Sequence, residues 1–282
     1  MYYALTFAET GSNRFGRDFG TVNTYDDWYL APTERPSFQP PSFDIQTISV
    51  PGRDGLIDVT TSLKKYPTYG NRTGSLKFLI HPDSPYTWHE TYAKVSNYLN
   101  GQRKRVSLED DPAYWYEGRF WLDKFEPGEH YSTITIQYNL DPYKKSKWTT
   151  TEKWQWDPFN FESGVILRDF YLYLDVSSND GLDPTDGYKQ VFNSLNIDER
   201  YRQEAIGRMT VCPKLTIRSH DENGMDIWFE NDELELQYLT HMADGDITDP
   251  NIIFSMQHPT NGVRLAAKGW GQLSIDFYIG SL

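Results

Sequence analysis

The segment TITIQYNL, residues 133–140, alternates apolar and polar side chains without a break, and puts Ile134, Ile136, Tyr138 and Leu140 on one side. A period of two is the period of an extended chain, so this stretch specifies a strand with one buried face. The pattern recurs along the chain. In SLKFLIH, Leu76, Phe78 and Ile80 share a face. PKLTIRS (213–219) and MDIWFEN (225–231) read the same way. In ELELQYL, Leu234, Leu236 and Tyr238 alternate with Glu233, Glu235 and Gln237, and GQLSIDFYIG places Leu273, Ile275, Phe277 and Ile279 together. Turn residues separate the strands. Pro127 and Gly128 in EPGE suit positions i+1 and i+2 of a type II turn, which predicts a hairpin closing onto TITIQYNL. Asn223-Gly224 predicts a second hairpin between PKLTIRS and MDIWFEN.

One segment has the helical period. SPYTWHETYAKVSNYLNG offers Ser84 as N-cap and Pro85 at the first helical position, then Trp88, Tyr92, Val95 and Leu99, with Gly101 as the stop. Its apolar stripe predicts a helix lying on a sheet. The expected fold is therefore mainly β: an N-terminal β-sandwich or barrel-like domain over 1–145 with one covering helix, then a C-terminal β-sandwich over 161–282. Residues 146–160 form an aromatic-rich junction containing Trp148, Trp154, Trp156 and Phe159. The stretch LDPTDGYKQVFNSLNIDERYRQEAIG reads as an irregular insertion with one short helix.

Composition removes several function classes. The net charge of −13 argues against a phosphate-gripping surface, and the longest basic cluster, Arg103-Lys104-Arg105, runs within a few residues into LEDD. A single cysteine, Cys212, excludes an intrachain disulfide, and its apolar setting TVCPKL reads as a small core residue. No apolar run approaches the ~18–20 residues of a membrane-spanning helix, and no signal peptide is expected.

Candidate chemistry is thin. Asp110, Asp111 and Glu117 stand beside Trp115 and Tyr116, and carboxylate pairs next to aromatics are what glycosidases use. Asp111 before Pro112 is also a common turn opener, and turn and packing is the preferred reading. Asp244, Asp246 and Asp249 lack calcium-loop spacing, as does NDGLDPTDG. The histidines 81, 89, 130, 220, 241 and 258 form no zinc motif, and no GxSxG, GxGxxG or GxxxxGK[ST] occurs. No catalytic residue, metal or cofactor is expected. Trp228, Tyr238 and Trp270 are candidates for stacking on a sugar, which would make the chain a carbohydrate-binding β-sandwich protein.

The first half carries an ordered set of motifs: PGRDG at residues 51–55, Tyr69 with Asn71 and Arg72, a strand, a helix ending at Gly101, and LEDDPAYWYEGR from Leu108 to Arg119. Together these resemble the N-terminal domain of distal tail proteins of long-tailed bacteriophages, with Trp115 where tyrosine is frequent. The likeness covers residues 1–145. Beyond 150 the family often carries a galectin-like β-sandwich, with which LSIDFYIGSL is compatible. The resemblance implies a non-enzymatic virion protein, assembled in the host cytoplasm and placed at the distal end of the tail. It implies a homohexameric ring joining the tail tube protein to tail-tip or tail-associated proteins, and in some relatives to a receptor-binding protein. DNA would pass through such a ring without specific binding. A ring needs two different surfaces on each subunit. Arg53, Asp54, Arg72, Asp110, Asp111 and Arg119 are candidate interface or structural residues. Tyr114, Trp115 and Tyr116 would alternate between a packed face and a face open to a partner or solvent.

Overall fold

The computed structural model describes residues 3–10, 21–60, 68–128, 131–149, 174–176, 188–196, 207–220, 222–255 and 261–282. The chain divides into two compact units, Met1–Lys147 and Trp148–Ser281.

In the first unit the strands are β1 (Leu5–Glu9), β2 (Val22–Asn23), β3 (Leu30–Pro32), β4 (Thr47–Ser49), β5 (Leu56–Asp58), β6 (Arg72–Ile80), β7 (Arg103–Leu108), β8 (Tyr114–Glu126), β9 (Thr133–Leu140) and β10 (Lys144–Thr149). One antiparallel sheet runs in the order β2-β1-β7-β8-β9-β6-β3, and β10 adds to the start of β8. Laid flat, six inter-strand gaps would part β2 from β3 by about 29 Å. Yet residues 24–29 alone connect these two strands, and they are coiled by Asp27 N–H to Asn23 and Tyr29 N–H to Tyr25. The sheet must therefore curl. Thr24 sits at the meeting of its ends, its N–H donating to Leu5 (2.9 Å) and its carbonyl accepting from Leu30 (2.8 Å). Among the described residues β2 and β3 share no ladder, so the curl is barrel-like and open.

The concave side holds the core. Phe7, Phe78, Phe120, Ile134 and Ile136 are fully buried there, and helix α1 (Trp88–Leu99) contributes Val95 and Leu99. The helix does not begin where expected. Thr87, not Ser84, is the N-cap: its hydroxyl accepts from Glu90 N–H, and Glu90 accepts from Thr87 N–H at 2.8 Å. Thr-x-x-Glu satisfies two helix-end donors reciprocally, an advantage Ser84-Pro85 cannot match. Ser84 instead closes a small turn onto Tyr86 N–H. Trp88 and Tyr92 lie at the edge of the helix stripe and flank Phe125 of β8.

The β8–β9 hairpin forms, but not on a type II turn. Glu126 pairs with Thr133, which leaves a six-residue connection, and Gly128 lacks the positive φ that i+2 of that turn requires. Gly128 is needed for space: a Cβ there would stand 2.1 Å from the Tyr131 carbonyl oxygen.

The second unit contains β11 (Leu174–Val176), β12 (Lys189–Asn193), a 3₁₀ turn (Ser194–Asn196), β13 (Lys214–Ser219), β14 (Met225–Asn231), β15 (Leu236–Met242), β16 (Gly245–Thr248), β17 (Val263–Lys268), β18 (Gly271–Asp276) and β19 (Tyr278–Ser281). Two four-stranded antiparallel sheets, β11-β18-β13-β16 and β12-β17-β14-β15, enclose one core and make a β-sandwich. Phe254 is its centre, stacked on Phe192 (5.4 Å) and Phe229 (5.8 Å) and edge-on to Phe277 (5.2 Å).

The structure departs from four expectations in this unit. PKLTIRS and MDIWFEN are not a hairpin, because β13 and β14 belong to opposite sheets. Glu222 (φ 60°) and Gly224 (φ 79°) use left-handed backbone to change sheets rather than to reverse within one. The alternation in ELELQYL starts late. Residues 232–235 form the β14–β15 turn, held by Asn231 Oδ1 accepting from Glu233 and Leu234 N–H, so Glu233 is buried in a turn. Part of the supposed insertion is strand β12, where a bulge between Gln190 and Phe192 turns both Val191 and Phe192 into the core. Cys212 is also exposed rather than buried. Its neighbour Val211 bridges to Phe254 and packs on the core, which points Cys212 outward.

Candidate interaction surfaces

PGRDG builds a projecting hairpin. Pro51 and Gly52 (φ 83°) take the centre of a type II turn closed by Arg53 N–H to the Val50 carbonyl at 3.1 Å. Gly55 (φ 80°) then returns the chain to β5. Strands β4 and β5 pair over Thr47–Asp58, Ile48–Ile57 and Ser49–Leu56, as a two-stranded sheet of their own. At its base Phe43 bridges to Tyr69, and the two rings pack at 5.3 Å. Nearly every side chain is exposed, including Ile45, Ile48 (52%) and Leu56 (64%). Arg53 and Asp54 stand exposed at the tip. A two-stranded hairpin is marginal alone in water, and an exposed apolar run of this kind marks a contact surface.

Leu108–Arg119 is internal architecture. Residues 109–113 turn the chain from β7 into β8. Asp110 accepts from Arg35 Nε at 2.7 Å and Asp111 from Lys144 Nζ at 2.7 Å. Trp115 and Tyr116 do point to opposite faces, but both faces are covered. Tyr116 packs in the curled core against Phe38 (4.7 Å), while Trp115 donates from Nε1 to the Ser146 carbonyl at 3.0 Å. Arg105 Cζ lies 4.0 Å and Lys145 Nζ 5.1 Å from the Trp115 ring centre. The open face expected for this triplet is thus filled by β10 and its cations, and only Tyr114 is partly exposed, under Lys144.

The charges here neutralise one another. Glu117 faces Arg103 (3.3 Å), Arg105 (3.6 Å) and Lys145 (3.6 Å), Asp141 takes Arg103 at 2.6 Å, and Glu9 takes Lys104. Arg72 is buried; it donates to the carbonyls of Pro142 (2.8 Å) and Gln39 (3.1 Å), and desolvation lowers its pKa. Arg119 donates to the Gly101 carbonyl at 3.0 Å, just past the helix C-terminus. The carboxylates thus serve ion pairs, and the arginines 72 and 119 tie carbonyls. Among the described residues no cluster of side chains has metal-holding geometry. Asp246 is bound to Lys214 and Thr216, and Asp249 to Tyr238 and Asn251, while NDGLDPTDG and most of the aromatic junction lie outside the described residues.

A groove of about 410 Å³ in the first unit is lined by Thr6, Asn23, Tyr25, Asp26, Ser107 and Lys147 among others. Burial drives the Lys147 ammonium down to about 8, against the pull of Asp111. No sequence signal marked this lysine, because desolvation depends on the fold around it.

The three sugar-stacking candidates are not brought together. Trp228 pairs with Leu239 on the outer face of its sheet, whereas Tyr238 pairs with Phe229 on the inner face and donates to Asp249 at 3.1 Å. Trp270 lies exposed where Gly269 and Gly271 carry the chain from β17 to β18, against His220 at 4.9 Å. Beside Trp228, Asp226 binds His241 Nδ1 at 2.7 Å and raises that imidazole's pKa.

No protein-family model matches the chain, and no curated protein matches it. Among solved structures it is similar to the crystal structure of SPP1 Dit (gp 19.1), described as a paradigm of the hub adsorption apparatus in Gram-positive infecting phages. The TM-score is 0.49 and the identity 13%, over 99% of each chain.

Proposed function

We propose that the chain is a structural protein of a bacteriophage tail, one subunit of a homohexameric ring at the distal end of the tail tube. In this reading residues 1–145 make the ring. One face of the ring meets the tail tube protein and the other meets tail-tip or tail-associated proteins, including a receptor-binding protein. DNA passes through without specific binding, and no catalysis is assigned.

The observation that carries the reading is the PGRDG hairpin. The motif that heads the distal-tail-like set is also the element whose apolar side chains lack cover in the single chain. A ring closes through heterologous contacts, and a projecting apolar arm seated on a neighbouring copy is one half of such a contact. The internal satisfaction of Glu117, Asp110 and Asp111 supports an architectural role for the acidic segment over a catalytic one. The test is the mass of the purified chain by light scattering over a concentration series, alone and with tail tube protein. A species of six times 32.9 kDa is expected in at least one of the two. A monomer in both would sink the proposal.

A further inference from the structure

The groove of about 410 Å³ in the first unit has a wall of ordered polar side chains and an amine in its lining. On the sheet face opposite Leu5 and Phe7, register sets Asn23, Thr6 and Ser107 in one row across β2, β1 and β7. Hydrogen bonds fix the row. Asn23 Nδ2 donates to Thr6 Oγ1 at 3.3 Å, while Asn23 Oδ1 accepts from the N–H groups of Tyr25 (2.8 Å) and Asp26 (3.1 Å). Ser107 is buried and donates to the Tyr114 carbonyl at 3.0 Å. Lys147 joins the lining from β10. Its backbone N–H donates to the Ala113 carbonyl at 3.0 Å, which fixes the root of a half-buried side chain.

The chemistry of the groove selects what it takes. Among the described residues Lys147 is the one cationic side chain in its lining, which also carries the carboxylates of Asp26 and Glu109. Burial brings the Lys147 ammonium down to about 8. At pH 7.5 roughly a quarter of it is therefore uncharged amine, against about one part in a thousand of a lysine with an ordinary pKa. The preceding lysines are tied to carboxylates: Lys144 lies 2.7 Å from Asp111, and Lys145 3.6 Å from Glu117. An uncharged lysine amine is a nucleophile for carbonyl carbon. Acylation or carbamate formation would leave a neutral amide or an anion facing Asp26, Glu109 and Asp111. Condensation with an aldehyde gives an imine that takes up a proton and restores the cation these carboxylates favour. The aldehyde must be small, since 410 Å³ is near the lower end of ligand pockets. It must also be uncharged, since a further anion is repelled. The Thr6 hydroxyl proton and the second Asn23 Nδ2–H can donate to a polar substituent.

We propose that Lys147 is a covalent capture site for small uncharged aldehydes, with Thr6 and Asn23 binding a polar substituent in the groove. The Nζ lone pair forms a bond to the aldehyde carbon, and the carbonyl π pair takes a proton to give a carbinolamine. The C–O bond then breaks and the nitrogen pair closes the C=N bond. The two Nζ protons leave with the oxygen as one water molecule, so nothing is oxidised or reduced. The site does not rest on the tail reading and would stand equally in a monomer.

The test treats the full chain with 3-hydroxybenzaldehyde, 3-formylbenzoate or formaldehyde. Sodium cyanoborohydride reduces each imine to a stable secondary amine, and peptide masses give the labelling rate at each lysine. Near neutral pH, Lys147 is expected to react with 3-hydroxybenzaldehyde roughly tenfold or more faster than Lys144 or Lys145. Its rate should climb with pH to a midpoint of about 8. The anionic 3-formylbenzoate should lose most of that preference. Thr6→Val should slow 3-hydroxybenzaldehyde at Lys147 several-fold and leave formaldehyde, which is too small to reach the polar row, unchanged. Equal rates at the three lysines overturn the site, and so does a preference that survives in 3-formylbenzoate. An equal effect of Thr6→Val on 3-hydroxybenzaldehyde and formaldehyde, or none on either, would show a reactive amine without a groove site, and that too overturns it. If Thr6→Val does not fold by circular dichroism, the two aromatic aldehydes on the wild-type chain decide.

Discussion

Single side chains in this molecule are set by their partners more than by their type. Lys147 is the clearest case, with burial holding its pKa near 8 against an ordinary 10.5. Between these values the unfolded chain still holds the proton that the folded chain has released. Stability contributed at this site therefore rises as pH goes from 8 to 10.5. Lys147→Met should flatten that rise, measured as the urea midpoint against pH. A midpoint with the same pH dependence in both chains would remove the assignment. Thr87 is the second case. Its capping box holds two helix-end donors. Thr87→Ala should cost about 1 kcal/mol in chemical denaturation, whereas Ser84→Ala should cost less, since Ser84 only closes a short turn. Equal losses would argue that α1 starts where Ser84-Pro85 suggests.

Elements with a clean period were legible in the sequence, and elements whose pattern depends on a defect were not. β9 reads directly from Ile134, Ile136, Tyr138 and Leu140, all buried on one face. β12 escaped because its bulge buries Val191 and Phe192 in succession, which breaks the alternation that announces a strand. The Asn-Gly signal at 223–224 located a turn correctly but not its destination, since left-handed backbone can serve a reversal or a change of sheet. In the candidate surfaces, the exposure of Ile48 and Leu56 was not legible, because only the fold shows that among the described residues β4 and β5 pair with no third strand. That exposure makes a prediction for the proposed ring. Ile48→Ser with Leu56→Ser should leave the thermal midpoint in place and reduce the assembled mass in light scattering. An intact hexamer in the double variant would refute the hairpin's role. Gly118 tests the sheet itself. It pairs with Lys104 on one side and Leu140 on the other, and a Cβ there would meet the Asn139 carbonyl oxygen at 2.2 Å and the Leu140 Cα at 2.5 Å. Both obstacles are backbone, so Gly118→Ala should destabilise by ~1–3 kcal/mol in denaturant titration. A neutral result would mean that the strands can part there freely.

At the scale of the whole molecule, two cores are closed by different means: one sheet curled around a helix, and two sheets face to face. Ile136 lies in the first and Phe229 in the second, both fully buried. Truncating either to alanine should cost ~2–5 kcal/mol. Scanning calorimetry is expected to show two transitions, with Ile136→Ala lowering one and Phe229→Ala the other. A single transition moved equally by both variants would contradict separate cores. The curled sheet also sets a timetable. Leu5 pairs with Leu108 and Leu30 with Ile80, so β1 and β3 leave the ribosome well before the strands that hold them. At ~5–20 residues per second, β1 waits on the order of 5–20 s for β7. During that wait Leu5 and Phe7 have no place to hide, and the nascent chain is open to whatever chaperone or neighbour reaches it first.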